Sequence, residues 1–286
     1  MTDFIIETDL GHDPDDLFTL CHLVEAGHRI VALGLSAGSP EQVRLACKLR
    51  TAFGMDFEIG VQKLHAKNEC LGIHDKIAQQ WGCGSNSHDG LSSEVFERAL
   101  ARYTNANVLI IGPATGFGEV AHLAEGRNLT FQGGFLPYSL HLPQVILPQF
   151  EYKTSVPTFN FNGDRRAVEK ILEAKLGCRH FCGKNVCHTI TLTREDVCQF
   201  APPRTVAGEI YDEALHLYFS KHSDKKLHDP TAFVCHTHPD VPVWFNGKPA
   251  KLGSGWTTVS DNSLNCDYIL CDVDRPRLWK HIFDRT

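Results

Sequence analysis

The chain switches repeatedly between short apolar runs and longer segments with helical spacing. Runs at Phe4–Thr8, Ile30–Leu35, Phe57–Val61 and Val108–Ile111 have the length and continuous apolar character of buried strands. The stretches Asp15–Ala26, Pro40–Phe53, Ser92–Tyr103 and Phe117–Ala124 carry apolar residues at helical spacing and predict amphipathic helices. This alternation predicts an α/β fold with a mostly parallel central sheet flanked by helices, and ligands beyond the C-terminal ends of the strands. Lys63–Gly90 breaks the rhythm: it is rich in Gly, Asn and His, weakly periodic, and predicts a flap or insertion near the site. NVCHTITLT, from Asn185, reads as a strand with Val186, His188, Ile190 and Leu192 on one face and Cys187 on the other.

A length of 286 residues at 42% hydrophobic content is enough for one large alternating domain or two smaller ones, and no repeat, low-complexity tract or linker forces a split. The formal charge of -6 leaves no broad basic surface, which argues against nucleic acid and for a small polar ligand or a protein as partner. No stretch approaches the ~20 apolar residues that span a bilayer, and MTDFIIETDL lacks a basic leader, so the expectation is a cytoplasmic protein without a membrane partner. The 11 cysteines are odd in number, in a chain too long to need a disulfide framework, and are expected as reduced thiols. A zinc site at GCRHFCGKNVCH would draw on Cys178, His180, Cys182, Cys187 and His188, but their spacing fits no compact structural pattern.

The first apolar run ends in ETDLGHDPDDLFTL, which brings together Glu7, Asp9, Asp13, Asp15 and Asp16. Gly11 permits a sharp turn and Pro14 suits the start of a helix, whose dipole favours acids in its first turn. Helix capping uses one side-chain acceptor, so it accounts for one or two of these acids and not for Asp9 and Asp13 together. A hard divalent cation with oxygen ligands accounts for all of them, and Ca²⁺ tolerates irregular oxygen shells better than Mg²⁺. The spacing is not that of an EF-hand.

TDLGHDPDDLFTL resembles the N-terminal signature of the nucleoside hydrolase family of the inosine-uridine preferring type, in the variant reading Asp-x-Gly-x-Asp-x-Asp-Asp. GPATGFGEVAHL from Gly112, QGGF from Gln132, TFNFNGDRRA from Thr158 and LHDPTAF from Leu227 resemble further family segments in the right order. HDGLS at His88 and the closing CDVDRPRLW extend the likeness from Phe4 to Trp279, which implies a single domain over residues 1–286.

The resemblance implies Ca²⁺-dependent hydrolysis of the N-glycosidic bond of a ribonucleoside to free base and ribose. Asp9 is implied as a metal ligand and general base, with Asp16, the Thr115 carbonyl and Asp229 completing the shell. Asp15 is implied at the ribose hydroxyls, Asn160 at the sugar, and His228 beside the leaving base, where an imidazole suits proton transfer near neutrality. The extra residue in the signature leaves Asp13 open, as a ligand or as a residue behind the ligands. The family also implies a homodimer or homotetramer.

Four positions depart from the family. Its first Asp is Glu7, its sugar-contacting Glu is Thr158, and its Met and Asn at two other places are Gln132 and Gly116. Loss of an anion at Thr158, with Arg165 and Arg166 following, makes room for a 5′-phosphate; the two arginines are equally accounted for as an exposed helix face. Two alternatives therefore stand beside nucleoside hydrolysis: cleavage of a 5′-substituted ribosyl compound such as a nucleotide, and metal-dependent binding of a ribosyl ligand without turnover.

Overall fold

The computed structural model describes residues 1–11, 13–62, 87–260 and 266–286. The flap expected over Lys63–Gly90 lies outside the described residues except at its end. In chain order the elements are β1 (Asp3–Thr8), α1 (Pro14–Glu25), β2 (Arg29–Ser36), α2 (Pro40–Ala52), β3 (Glu58–Gln62), β4 (Gly90–Leu91), α3 (Ser92–Arg102), β5 (Asn107–Ile110), α4 (Thr115–Val120) and β6 (Leu129–Gln132). There follow α5 (Phe159–Gly163), α6 (Arg165–Glu173), β7 (Arg179–Cys182), α7 (Lys184–Cys187), β8 (Thr191–Thr193), α8 (Val206–Phe219), β9 (Asp224–Lys226) and α9 (Asp229–Thr237). The last elements are β10 (Pro242–Leu252), β11 (Gly255–Ser260), β12 (Asp267–Val273) and α10 (Arg275–Asp284).

β1 is buried from Phe4 to Thr8 because it has a parallel neighbour on each side, β2 and β5. Both of its faces are covered by helices, so the strand reads as an unbroken apolar run. The sheet order is β11-β10-β12-β7-β6-β5-β1-β2-β3-β4, parallel from β12 to β4, with β10 and β11 added as an antiparallel edge. From β1 the chain winds one way through β2 and β3 and later the other way through β5, β6 and β7. The reversal falls between β1 and β5, which is where open α/β sheets leave a crevice at the strand ends.

One face of the sheet carries α1 against α8 and α9, with Phe18, Leu20, Tyr211 and Phe233 in the core. The other carries α3, α4 and α6 over Phe96, Phe117 and Val168. On that second face a Cβ at Gly118 would stand 2.5 Å from the Ala167 Cβ, so two small residues let α4 and α6 touch. The expected strand over NVCHTITLT is corrected: Lys184–Cys187 is a helical turn, and only Thr191–Thr193 is a strand. A short alternation of polar and apolar residues is shared by a strand and a helical turn packed on one side, so periodicity alone does not choose between them. Among the described residues, no helix is long and apolar enough to cross a membrane.

Candidate active site

Asp9 follows β1 directly, and Gly112 and Pro113 follow β5, on the two sides of the sheet reversal. A Cβ at Gly112 would lie 2.5 Å from the Asp9 backbone nitrogen and 2.9 Å from Asp9 Oδ1, so only glycine lets the two strand ends approach this closely. Gly11 takes φ 106°, the left-handed turn expected of it, and brings the chain to Asp13. Asp13 caps α1: its Oδ1 accepts the N–H of Asp15 at 3.2 Å. Pro14 begins the helix, one residue before the start expected at Asp15. Asp15 and Asp16 lie in its first turn and are buried, as is Asp9.

These acids have unequal surroundings. Burial pushes the Asp15 carboxyl up, but Lys225 Nζ at 3.4 Å and then His228, whose Nδ1 lies 3.3 Å away, hold it below its ordinary value. The backbone N–H groups of His228 and Asp229 also donate to Asp15 Oδ2, at 2.8 Å and 3.3 Å. Lys225 lies 2.8 Å from Asp13 as well, and these acids hold its charge against the cost of burial. Asp9 has no such partner: burial, and then Asp13 and Asp15, push it up to about 7. Asp16 and Asp229 are pushed well above the carboxylate range by burial and by neighbouring aspartates, Asp9 chief among them for Asp16 and Asp16 for Asp229. Thr8 Oγ1 donates to Asp16 Oδ1.

Asp9, Asp16 and Asp229, each raised by burial and by neighbouring aspartates, stand against one lysine already held by Asp13 and Asp15, so the site is short of positive charge. All its donors are hard oxygens, which fits Ca²⁺. Among the described residues, however, no three His, Cys, Asp or Glu side chains converge on one point as a shell. Asp9, Asp16 and Asp229 thus fit a hard cation in chemistry and charge, and no coordination geometry follows. Thr115, implied to add its carbonyl, begins α4 beside them, and its Oγ1 is buried without a partner.

Glu7 explains one departure from the family. Its Oε1 accepts from Gly116 N–H at 2.7 Å and Ser36 Oγ at 3.2 Å, and its Oε2 accepts from Phe117 N–H at 2.8 Å. It fixes the turn that carries Thr115, and burial raises it to about 7. Asn160 Nδ2 donates to the carbonyl and the side chain of Gln132, at 3.0 Å and 2.8 Å. Thr158, Gln132, Lys184, His188 and His228 line a cavity of about 210 Å³. The Nε2 of His228 and the Oγ1 of Thr158 have no hydrogen-bond partner. A larger hollow of about 610 Å³ over Arg194, Phe200 and Arg285 shares no residue with this site.

The site therefore gathers Asp9, Asp13, Asp15, Asp16 and Asp229, with His228 joining the acids to the cavity that Thr158 lines and Asn160 reaching it through Gln132. Arg165 and Arg166 are not in that cavity: Arg165 donates to the Ser254 carbonyl at 2.9 Å, and Arg166 is exposed on α6. The cysteine-rich stretch divides, with Cys178 facing Cys266 and Cys182 facing Cys235, while His180 stacks on Tyr268. Sequence reasoning missed Lys225, Thr8 and Lys184. Lys225 stands three residues before His228 in DKKLHDP, and nothing in that run distinguishes a buried lysine from an exposed one.

No family model matches the chain. Over 91 residues it is 36% identical to an uncharacterized protein of Aquifex aeolicus (strain VF5), covering 30% of this chain and 31% of that one. Its whole length superposes on solved structures. A plant nucleoside hydrolase matches with a TM-score of 0.74 at 17% identity, over 99% of this chain and 98% of that one. The fold is that of the nucleoside hydrolases. The inosine-uridine preferring nucleoside hydrolase from Bacillus anthracis superposes with a TM-score of 0.70 at 16% identity, again over 99% and 98% of the two chains. Both superpositions cover 99% of this chain.

Proposed function

We propose that the chain hydrolyses the N-glycosidic bond of a ribonucleoside, adding water across the C1′–N bond to release base and ribose. The observation that carries this reading is the position of His228. Its Nδ1 faces Asp15 at 3.3 Å, its Nε2 is buried without a partner, and the residue lines the hollow beside the acids.

Asp9, Asp16, Asp229 and the Thr115 carbonyl would hold Ca²⁺, which when bound acidifies water and orients a vicinal diol. Asp9, which directly follows β1 and has the general-base role that the family resemblance implies, takes the proton from the attacking water. Asp15 and Asn160 position the sugar, and Thr158 borders it. The departing base gains electron density as the sugar approaches an oxocarbenium state, and His228 Nε2 donates to it. Asp13 stands behind these groups as helix cap and lysine partner. We propose a homodimer or homotetramer on the same family resemblance, which light scattering in solution checks.

The test is a panel of ribonucleosides incubated with the protein in Ca²⁺ or in chelator, with release of base and ribose measured. Turnover is expected only with the cation, and Asp9→Ala is expected to lose it. Saturable ribose binding without release of base from any nucleoside would replace hydrolysis by ligand binding.

A further inference from the structure

The cavity beside His228 has a polarity opposite to that of the acid cluster. Lys184 lines it, and no Asp or Glu does. Lys184 Nζ donates to the Pro157 carbonyl at 3.2 Å, and among the described residues no carboxylate stands within ion-pair distance of it. Its backbone is fixed by a 3.0 Å hydrogen bond to the Gly134 carbonyl, so the lysine is built into the wall and does not trail from the surface. Thr158, only 4% exposed, lines the same cavity with an Oγ1 that has no partner. A half-buried cation without a counter-ion and a buried hydroxyl without a partner both carry a desolvation cost that an anionic, acceptor-rich group would relieve.

The volume narrows the choice. About 210 Å³ is less than the roughly 300 Å³ at which drug-sized ligand pockets begin, so the cavity takes one part of a substrate. In a ribosyl compound the 2′,3′-diol and the 5′ arm lie at different ends of the furanose. The acids and the cavity meet at His228, which lies 3.3 Å from Asp15 and lines the cavity, so a sugar whose diol faces the acids has Thr158 and Lys184 within the space open to its 5′ arm. We propose that Lys184 and Thr158 form a phosphate subsite, and that the preferred substrates are 5′-phosphorylated ribosyl N-glycosides such as nucleoside 5′-monophosphates. This rests on the N-glycosidic reading of the neighbouring acids. Water adds across the C1′–N bond, the base leaves with a proton, and ribose 5-phosphate departs with its ester intact. Burial holds His188 down to about 3, so that imidazole is neutral at working pH and Lys184 supplies the lasting charge.

Two measurements separate this proposal from the reading beneath it. In calorimetry with Ca²⁺ present, ribose 5-phosphate is expected to bind at least tenfold more tightly than ribose. Lys184→Gln and Thr158→Val are each expected to shrink that preference severalfold or more, and Lys184→Arg to restore part of it. Thermal melting verifies that each variant is folded. In turnover, the ratio of kcat/KM for a nucleoside 5′-monophosphate to that for its nucleoside is expected to exceed ten and to collapse in Lys184→Gln. Equal binding of ribose and ribose 5-phosphate by the wild type, or a full preference kept by Lys184→Gln, overturns the subsite. Preferential binding of ribose 5-phosphate without hydrolysis of any nucleoside or nucleotide keeps the subsite and overturns the enzymatic reading.

Discussion

The Glu7 carboxylate at the centre of the sheet accepts the backbone N–H of Phe117 at 2.8 Å, joining β1 to the first turn of α4. Its other oxygen accepts Gly116 N–H, so the carboxylate holds two amides that the helix itself leaves unbonded. Glu7→Gln replaces one acceptor with a donor facing a buried N–H, which costs about 1–3 kcal/mol. The expected result is a lower urea midpoint and weaker Ca²⁺ binding, because the Thr115 carbonyl loses its support. An unchanged midpoint would remove Glu7 as the anchor of that turn.

Lys225→Met is expected to destabilise the fold strongly at pH 7. The variant leaves Asp15 buried without its cation, and breaking one side of a buried pair costs about 3–5 kcal/mol. Asp15 is depressed in the folded state, so its contribution is present above its unfolded value near 3.8 and is lost as pH falls through the folded one. The penalty of Lys225→Met should therefore shrink in acid. Adding Asp15→Asn should recover part of the loss at pH 7, and a double-mutant cycle measures the coupling.

Metal and pH act on the same groups. Asp9, with an ordinary value of 3.8, and Glu7, at 4.5, are both raised to about 7 in the fold. Raised acids contribute stability that is fully present below their unfolded values and is lost as pH rises toward the folded ones. For Glu7 that span corresponds to roughly 3 kcal/mol between pH 4.5 and 7. In chelator, Tm is expected to fall over this window, and Ca²⁺ is expected to raise Tm far more at pH 8 than at pH 5, because its ligands must be deprotonated. Asp9→Asn should flatten the fall and weaken the response to Ca²⁺; an Asp9→Asn protein that responds to Ca²⁺ like wild type would take Asp9 out of the shell.

Gly112→Ala tests the closeness of the two strand ends. The added Cβ would meet the Asp9 backbone nitrogen at 2.5 Å, and backbone cannot swing aside as a flexible side chain can. Overpacking of this kind costs about 1–3 kcal/mol. The loss of turnover is expected to exceed what the change in stability explains, because Asp9 moves with the strand end. Wild-type kcat with a lowered Tm would confine the effect to folding.

The sequence carried those parts of the fold that depend on neighbouring positions. β1 and α1 are legible because a continuous apolar run meets a glycine turn, a cap at Asp13 and a proline at the helix start. The acid cluster was legible because most of its members share one turn. Asn185–Thr193 was misread because four residues of helix and three of strand are too short for either period to declare itself. Lys225 and Lys184 were illegible for another reason. Whether a lysine is buried is decided by what its strand or turn packs against, and the partners here, Asp15 and Pro157, are distant in the chain.

The His228 amide donates to Asp15 across 213 positions, and Lys225 meets the same carboxylate from nearly as far along the chain. During synthesis, β1 and α1 therefore emerge with their acids long before the only lysine that meets them among the described residues. Contacts of such long range are slow to close and leave early segments waiting. The acidic corner is consequently among the last parts of the fold to be completed. A polypeptide released before residue 225 holds Asp9, Asp13, Asp15 and Asp16 together without that lysine, and it lacks Asp229 from the proposed cation shell.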